Sequence, residues 1–330
     1  YDDRLSSKTD LPAGVFIGNL AAATAANLNL AEYVGNQPGR EEIFTALNTA
    51  GIQDIAVVWV QKNTIVPFPI EILYTVKTEN AIDRPRCLIV VESGAEVTII
   101  ERYTVEAAEE YFTNSVTEIA ISPGGRVKHC RVQTDAKTAI HIGKTTIVQS
   151  RDSYYAGTSV NLGAKLSRHN WEMYQTGAQT ETILKGLSLI DGDRLADTHS
   201  AIVLSQPHGK ADQLQKNIIA DRGHAVFNGK INVPQAAQLT NASQLNRNLL
   251  LSDRGRVDTK PQLEIVADNV KCAHGATVSQ LEDEEIFYLQ SRGLDENTSR
   301  ELLIKAFAME VIQDLNLPTL VESIQTWWNG

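Results

Sequence analysis

Cysteine is scarce in this 330-residue chain. Cys87, Cys130 and Cys272 lie far apart, are odd in number and form no C-x-x-C pair. A disulfide framework is not expected, and a reducing compartment fits better. Positive charge is also in deficit: 30 Lys plus Arg stand against 40 Asp plus Glu, a net charge of −10. Phosphate affinity comes mostly from cations, so neither nucleic acid nor an anionic membrane is an expected partner. No run of about 18 apolar residues is present, so no transmembrane helix is expected. Residues 1–30 show no basic segment followed by an apolar block, so no signal peptide is expected either. The chain starts at Tyr1 rather than Met, and the natural protein is expected to begin further upstream.

The balance that remains is that of an ordinary globular protein: 42% hydrophobic and 21% charged. It excludes a disordered chain, a coiled coil and a collagen-like fibre. A chain of this length buries a core large enough to fold without disulfides or a structural metal.

Three regions separate by pattern: 1–50 mixed and helical, 51–280 strand-rich, and 281–330 helical. In the first, Ala21 to Asn27 and Arg40 to Ala50 suit helices. The second holds short runs rich in Val, Ile and Thr, among them Ile55–Val60, Ile70–Val76, Cys87–Val91, Ile183–Leu189 and Ala201–Leu204. Turn signals separate them at Ser93-Gly94, Pro123-Gly124-Gly125, Thr176-Gly177, Asp191-Gly192 and Asp221-Arg222-Gly223. So long a series of strands must close its edges. A β-helix does so by stacking coils, leaving edges only at its two ends. The sequence shows no clean repeat, so such a helix would be irregular, and a large sandwich or jelly roll is the rival fold. In the last region Asp283 caps a predicted helix over Glu284–Arg292, with Gly293 as its stop. Thr298 and Glu301 form a capping box ahead of a stripe of Leu303, Phe307, Val311 and Leu315, widened by Leu302 and Ala306. Pro318 is expected to end that helix. A third short helix is expected to carry Val321, Ile324 and the Trp327-Trp328 pair, either as packing or as a partner anchor.

Several motifs invite chemistry. Gly143-Lys144-Thr145-Thr146 ends like a phosphate-binding loop, but Thr138 stands where the first glycine is required, so a turn between strands is the better reading. His129 and Cys130 are adjacent, hence on opposite faces of a strand, and Cys130 is expected to be buried. Asp197 and His199 share a strand face and with His208 form a loose cluster, for which structural hydrogen bonding is favoured over a metal or acid–base role. Cys272-Ala273-His274-Gly275 is sharper. On an extended backbone Cys272 and His274 point the same way, and thiolate and imidazole both ligate iron. Two ligands do not complete a cluster, so the others must come from elsewhere, most naturally a second chain.

From Val226 onward the chain resembles a known family. Val226-Phe227-Asn228-Gly229-Lys230-Ile231 is followed by Gln244-Leu245-Asn246-Arg247-Asn248-Leu249-Leu250-Leu251-Ser252. Then come Val257-Asp258-Thr259-Lys260-Pro261-Gln262-Leu263-Glu264-Ile265, Asp268 and Val270-Lys271-Cys272-Ala273-His274-Gly275-Ala276-Thr277-Val278. Phe287-Tyr288-Leu289 and Ser291-Arg292-Gly293 open the tail. Together these resemble the SufB/SufD family of iron–sulfur cluster assembly proteins. The Cys-Ala-His-Gly-Ala-Thr stretch looks like the SufD members rather than SufB, and Pro12-Ala13-Gly14-Val15 agrees more weakly.

The resemblance implies a right-handed parallel β-helix core with a helical C-terminal domain and a short mixed N-terminal region. It implies a non-enzymatic scaffold subunit in the cytoplasm, or in the plastid stroma of a plant. The implied partners are a SufB-like β-helix protein and a SufC-like ABC ATPase, with a homodimer open to the isolated chain. ATP belongs to SufC, so no nucleotide is expected on this chain. The implied cofactor is a transient iron–sulfur cluster shared with the SufB-like partner, with His274 and Cys272 as candidate ligands at that interface. Neutral His274 would offer a ring nitrogen, so binding should weaken as it protonates. Glu284, Phe287, Tyr288, Arg292 and Phe307 of the tail are the candidate residues for SufC. Two alternatives stay open: a purely architectural partner of SufB, and a β-helix enzyme acting on polysaccharide.

Overall fold

The computed structural model describes residues 11–106, 109–315, 318 and 321–322. In chain order its first elements are β1 (Val15–Gly18), α1 (Leu20–Ala25), α2 (Ile43–Ala50), β2 (Ala56–Val60), β3 (Ile70–Val76), β4 (Ile82–Asp83) and β5 (Arg86–Val91). Long strands follow: β6 (Glu96–Val105), β7 (Phe112–Ile121), β8 (Arg126–Gln133), β9 (Ile140–Gln149), β10 (Tyr154–Asn161), β11 (Leu166–Gln175) and β12 (Glu181–Ile190). Then come β13 (Leu195–Leu204), β14 (Lys210–Ile219), β15 (His224–Val233), β16 (Asn241–Leu250), β17 (Arg256–Ile265) and β18 (Lys271–Ser279). Helices α3 (Asp283–Ser291) and α4 (Glu296–Ile312) complete the described elements. Among the described residues no helix is long and apolar enough to cross a membrane.

From β5 onward successive strands alternate between two sheets, and within each sheet a strand pairs in parallel with the strand two further on. Leu166 stands beside Leu195 and Leu195 beside His224, each 29 residues on. The result is a parallel β-solenoid of about eight turns. The sandwich alternative is set aside, because hairpin-linked strands would pair antiparallel. The antiparallel pair described here is β1 with β2, where Val15 faces Val60 at the start of the first sheet.

One corner explains how a chain without a clean repeat makes regular coils. Asn63, Gly94, Gly124, Asp152, Gln179, His208 and Leu239 all have left-handed φ, between 59° and 70°. Each gives its amide to the carbonyl of the next coil's corner, as in Gly124 to Arg151 at 3.0 Å and His208 to Gln238 at 2.9 Å. Glycine reaches this conformation freely, and Asn or Asp at little cost. The repeat is therefore one of backbone conformation rather than of residue identity.

Inward side chains divide the interior. Ile89, Ile119, Ile147, Met173 and Ile202 form the centre of an apolar core, while polar groups fill the side nearer Glu101 and His141. Two further cores lie on the outer faces. At the start of the first sheet, Phe16, Leu28, Leu30 and Tyr33 cover Val57, Trp59 and Leu88. Buried charge pins this N-terminal segment down: Lys144 Nζ donates to the Gly39 carbonyl and to Glu172, both at 2.8 Å. Arg86 Nε meets Glu118 at 3.1 Å, and its Nη1 reaches Asn48 and Thr49 of α2. Gly143–Thr146 thus lies inside β9, not in the expected turn, and the Lys144 ammonium is committed to structure.

The second sheet's outer face carries Cys130, Val132, Val160, Leu187 and Ile218, and α4 covers it with Ala308, Val311 and Ile312. Full burial contributes about 1.5–3 kcal/mol per large aliphatic side chain. The stripe differs from the expected one: Leu302 is 47% exposed and Ala306 is exposed, because the helix turns its Ile304–Ala308–Val311–Ile312 edge to the sheet. Asp295 rather than Thr298 caps α4, accepting from the Thr298 amide at 2.9 Å. Asp283 lies within α3, whose N-cap is Glu282. The stripe's Leu315 falls in a 3-10 turn after α4. Ile324 and Trp327-Trp328 lie outside the described residues.

Leu239 is the costly corner residue, a half-exposed leucine at φ 61°. Leu239→Asn is expected to raise stability by roughly 0.5–1 kcal/mol, since a left-handed L-residue costs about 1–2 kcal/mol. A urea midpoint that stays put or falls would show that the corner carries no strain.

Candidate functional site

The last strand of the second sheet, β18, carries both predicted ligands. Strand alternation puts Cys272 and His274 on the inward side. Cys272 continues the column Tyr155, Thr182, Ala211, Ala242, and His274 continues Leu184, Gln213, Gln244. The older members of each column are sealed. The newest are not: Cys272 is half-buried and His274 exposed. The interior of the solenoid therefore comes to the surface at this end.

The environment of each candidate residue follows from that position. Cys272 packs against the apolar core beside Val270 and Leu263. Burial pushes its thiol up, opposed by a hydrogen bond with the Ala242 backbone. It stays a protonated thiol at neutral pH, and a metal would have to displace the proton. Beneath His274, Gln244 Nε2 donates to Gln213 at 2.8 Å, and Gln213 Nε2 donates to Ser200 at 2.7 Å. Gln244 Oε1 and Thr259 Oγ1 of β17 are buried without a hydrogen-bond partner in the chain.

Both sheets end here. β17 closes the first and β18 the second, each paired on one side only among the described residues. An edge strand leaves alternate amides and carbonyls free and accepts a strand from another chain. Pro261, which cannot donate to a ladder, stands on β17, where an edge tolerates it. Among the described residues no group of three or more His, Cys, Asp and Glu is gathered to hold a metal ion. Cys272 and His274 stand as a pair without a third such group gathered beside them among the described residues.

The tail residues divide. Phe287 and Tyr288 of α3 are 70% and 57% exposed, and the Arg292 guanidinium stacks 5.3 Å from the Tyr288 ring. Glu284 joins Glu282, Glu285, Tyr288, Leu289 and Leu303 around a cleft of about 320 Å³ between α3 and α4. Phe307 goes elsewhere: its ring lies under Lys216 Nζ at 4.2 Å, against the second sheet.

The remaining sequence candidates separate. His129 points inward and Cys130 outward beneath α4, as alternation requires, and burial pushes the Cys130 thiol up to about 12. Asp197 and His199 pair at 2.9 Å on an outer face, joined by Arg168 at 3.2 Å. His208 sits apart at the left-handed corner.

Sequence reasoning missed an enclosed polar network. Glu101 accepts from Thr117 at 2.9 Å and pairs with His129 Nε2 at 2.8 Å, while His129 Nδ1 meets Tyr155 at 3.0 Å. Asp135 holds His141 Nδ1 at 2.8 Å, and His141 Nε2 lies 3.1 Å from Ser115 Oγ. These are the distances of a hydrolase triad, yet every member is buried. Arg131 Nη2 donates to the same Nε2 at 2.7 Å, occupying the lone pair a general base requires. The arrangement is structural. Its only trace in the sequence was polar residues alternating along strands, which read equally well as an outward face.

The network sets an acid limit on the fold. Burial lowers His141 and, more strongly, His169 from 6.5, so the unfolded chain binds their protons better. Stability is then lost as pH falls below about 6.5. Glu101 and Asp135 are held low by His129 and His141 respectively against the opposing effect of burial. Their contribution is full above the ordinary carboxylate range and lost as pH falls through it. The urea midpoint is expected to drop between pH 7.5 and 5.5, and to drop less in His169→Gln. Equal slopes would show that His169 carries none of the effect.

Fold and site together define a β-solenoid protein with an open terminal coil and a helical tail. Residues 74–307 match the family described as SUF system FeS cluster assembly, SufBD core domain, and residues 1–72 match the SufBD protein N-terminal region. The chain belongs to the SufBD family. An iron-sulfur cluster assembly SufBD family protein of Synechocystis sp. is 46% identical over 97% of this chain and 73% of its own length. The chloroplastic protein ABCI7 of Arabidopsis thaliana is 37% identical over 92% of this chain, which spans 66% of that relative. The iron-sulfur cluster assembly protein SufD of Escherichia coli is 35% identical over 67% of this chain and 52% of its own length.

Proposed function

We propose that this chain is a scaffold subunit of an iron–sulfur cluster assembly complex. It pairs through its last coil with a SufB-like β-solenoid and brings His274 and Cys272 to the shared interface as ligands for nascent cluster. A SufC-like ATPase docks on the tail through Glu284, Phe287, Tyr288 and Arg292. Phe307, turned to the sheet, then serves the tail's anchorage. The observation that carries the reading is the open coil, where two edge strands, an exposed imidazole and a half-buried thiol converge. The chain has no third ligand gathered beside them among the described residues, so the cluster is cargo held between two chains. The family description and the names of the relatives support this reading, as does the exposure of Phe287 and Tyr288. In it the chain performs no chemistry of its own and works in the cytoplasm or a plastid stroma.

Mechanically, a partner that binds α3 more tightly in one nucleotide state shifts the tail toward the position that state favours. The imidazole needs only a neutral ring nitrogen, whereas Cys272 gives up a proton on binding iron.

Co-expression with SufB-like and SufC-like partners tests this, with complex mass read by light scattering and iron and sulfide measured after anaerobic reconstitution. His274→Ala is expected to keep the complex and lose most of the cluster. A full cluster on intact complex would leave the chain an architectural role. No complex with the wild-type chain would remove the assignment.

A further inference from the structure

Lys216 is the best hidden cation on the second sheet's outer face, with 1% of its side chain exposed. Burying an ammonium is costly unless it is paired and hydrogen-bonded. Its partners all belong to α4: Nζ donates to the Phe307 carbonyl at 2.9 Å, bonds Glu310, and lies over the Phe307 ring.

The register places Lys216 in a row. Lys216 of β14 and Arg247 of β16 are in-line neighbours, with Leu187 of β12 the position before and Thr277 of β18 the next; Lys185 stands two residues before Leu187 on the same face of β12. Adjacent strands lie about 4.8 Å apart, so two cations stack on successive coils, with Lys185 diagonal to Lys216. Like charges directly opposite each other are destabilising in a sheet. Glu310 answers them: it bonds Lys216 and reaches Arg247 at 3.4 Å. Its carboxyl is held below the usual range, first by Lys216 and then with help from Arg247 and Lys185, against a smaller effect of burial.

The inward neighbours of this row continue to the ligand strand. Asn217 Nδ2 donates to Asn248 Oδ1 at 2.7 Å, and Asn248 Nδ2 donates to the Thr277 carbonyl at 3.0 Å. Thr277 is three residues from His274 on the same strand.

We propose that Glu310 and the stacked cations Lys216 and Arg247 form a latch that ties the seat of α4 to the pairing of the last coils. Lifting α4 withdraws the carboxylate and leaves the two stacked cations to repel across β14 and β16. The coils loosen next to β18, and His274 with them. The link to cluster assembly rests on the function proposed above; the latch itself is a property of the single chain.

Amide hydrogen exchange over Asn241–Leu250 and Lys271–Ser279 is the test, in the chain alone and in the complex with and without ATP. In the chain alone, Glu310→Gln is expected to speed exchange roughly fivefold. Lys216→Met is expected to do the same, and Lys216→Arg to stay near wild type. Glu301→Gln, an exposed change on the same helix, is the control. In the complex, ATP is expected to speed exchange of these amides in wild type and to add nothing in Glu310→Gln. Unchanged exchange in Glu310→Gln alone would overturn the latch. An undiminished ATP response in that variant would overturn the coupling. A wild-type chain that forms no complex would remove the partner assignment, while the single-chain comparison would still decide the latch.

Discussion

Everything in this molecule depends on parallel strands stacking in register from coil to coil. Each coil satisfies the backbone amides and carbonyls of the one before it, so the interior can be narrow and still leave few orphans. Register then dictates the side chains: a residue's neighbours are those one coil away, and polar groups must find partners in that line or across to the opposite sheet. Glu101, His129 and Tyr155 meet along this axis, as do Asn217 and Asn248. The same rule leaves the final coil with open edges, since among the described residues no further coil pairs with it.

Much of this was legible in the sequence, for identifiable reasons. The turn signals at Ser93-Gly94 and Pro123-Gly124-Gly125 fall on the left-handed corner, and Asp191-Gly192 falls on a second turn. The coil repeat was hidden because that corner is filled in turn by Asn, Gly, Asp, Gln, His and Leu, residues alike in backbone angle and unlike in chemistry. Inward polar positions were opaque for a related reason. Alternation shows that Ser115 and Thr117 share a face, but not that the face is enclosed. The solenoid itself became definite through the family resemblance, not through periodicity.

The candidate site was readable at the level of two residues. Strand parity put Cys272 and His274 on one side, and the structure places that side at the solenoid's open end. Sequence could not show that the columns beneath them are sealed, because register across coils is a property of the folded chain. In the tail, helical period predicted α4 but misjudged its buried edge. Leu302 and Ala306 are apolar enough to join the stripe, yet packing on the sheet selected Ala308, Val311 and Ile312. Phe307 shows the limit of assigning aromatic residues to partners: a cation of its own chain holds it.

The two ends of the solenoid are unlike, and this bears on symmetry. The first sheet begins with a four-residue strand that runs against its neighbour, whereas among the described residues both sheets finish on long parallel strands paired on one side only. Head-to-tail stacking would join different surfaces and repeat without limit. Two solenoids meeting tail end to tail end instead consume both long edges at once, and related surfaces close on themselves about a two-fold or pseudo-two-fold axis. A strand of reversed sense at one end thus works against stacking of this chain into a fibre.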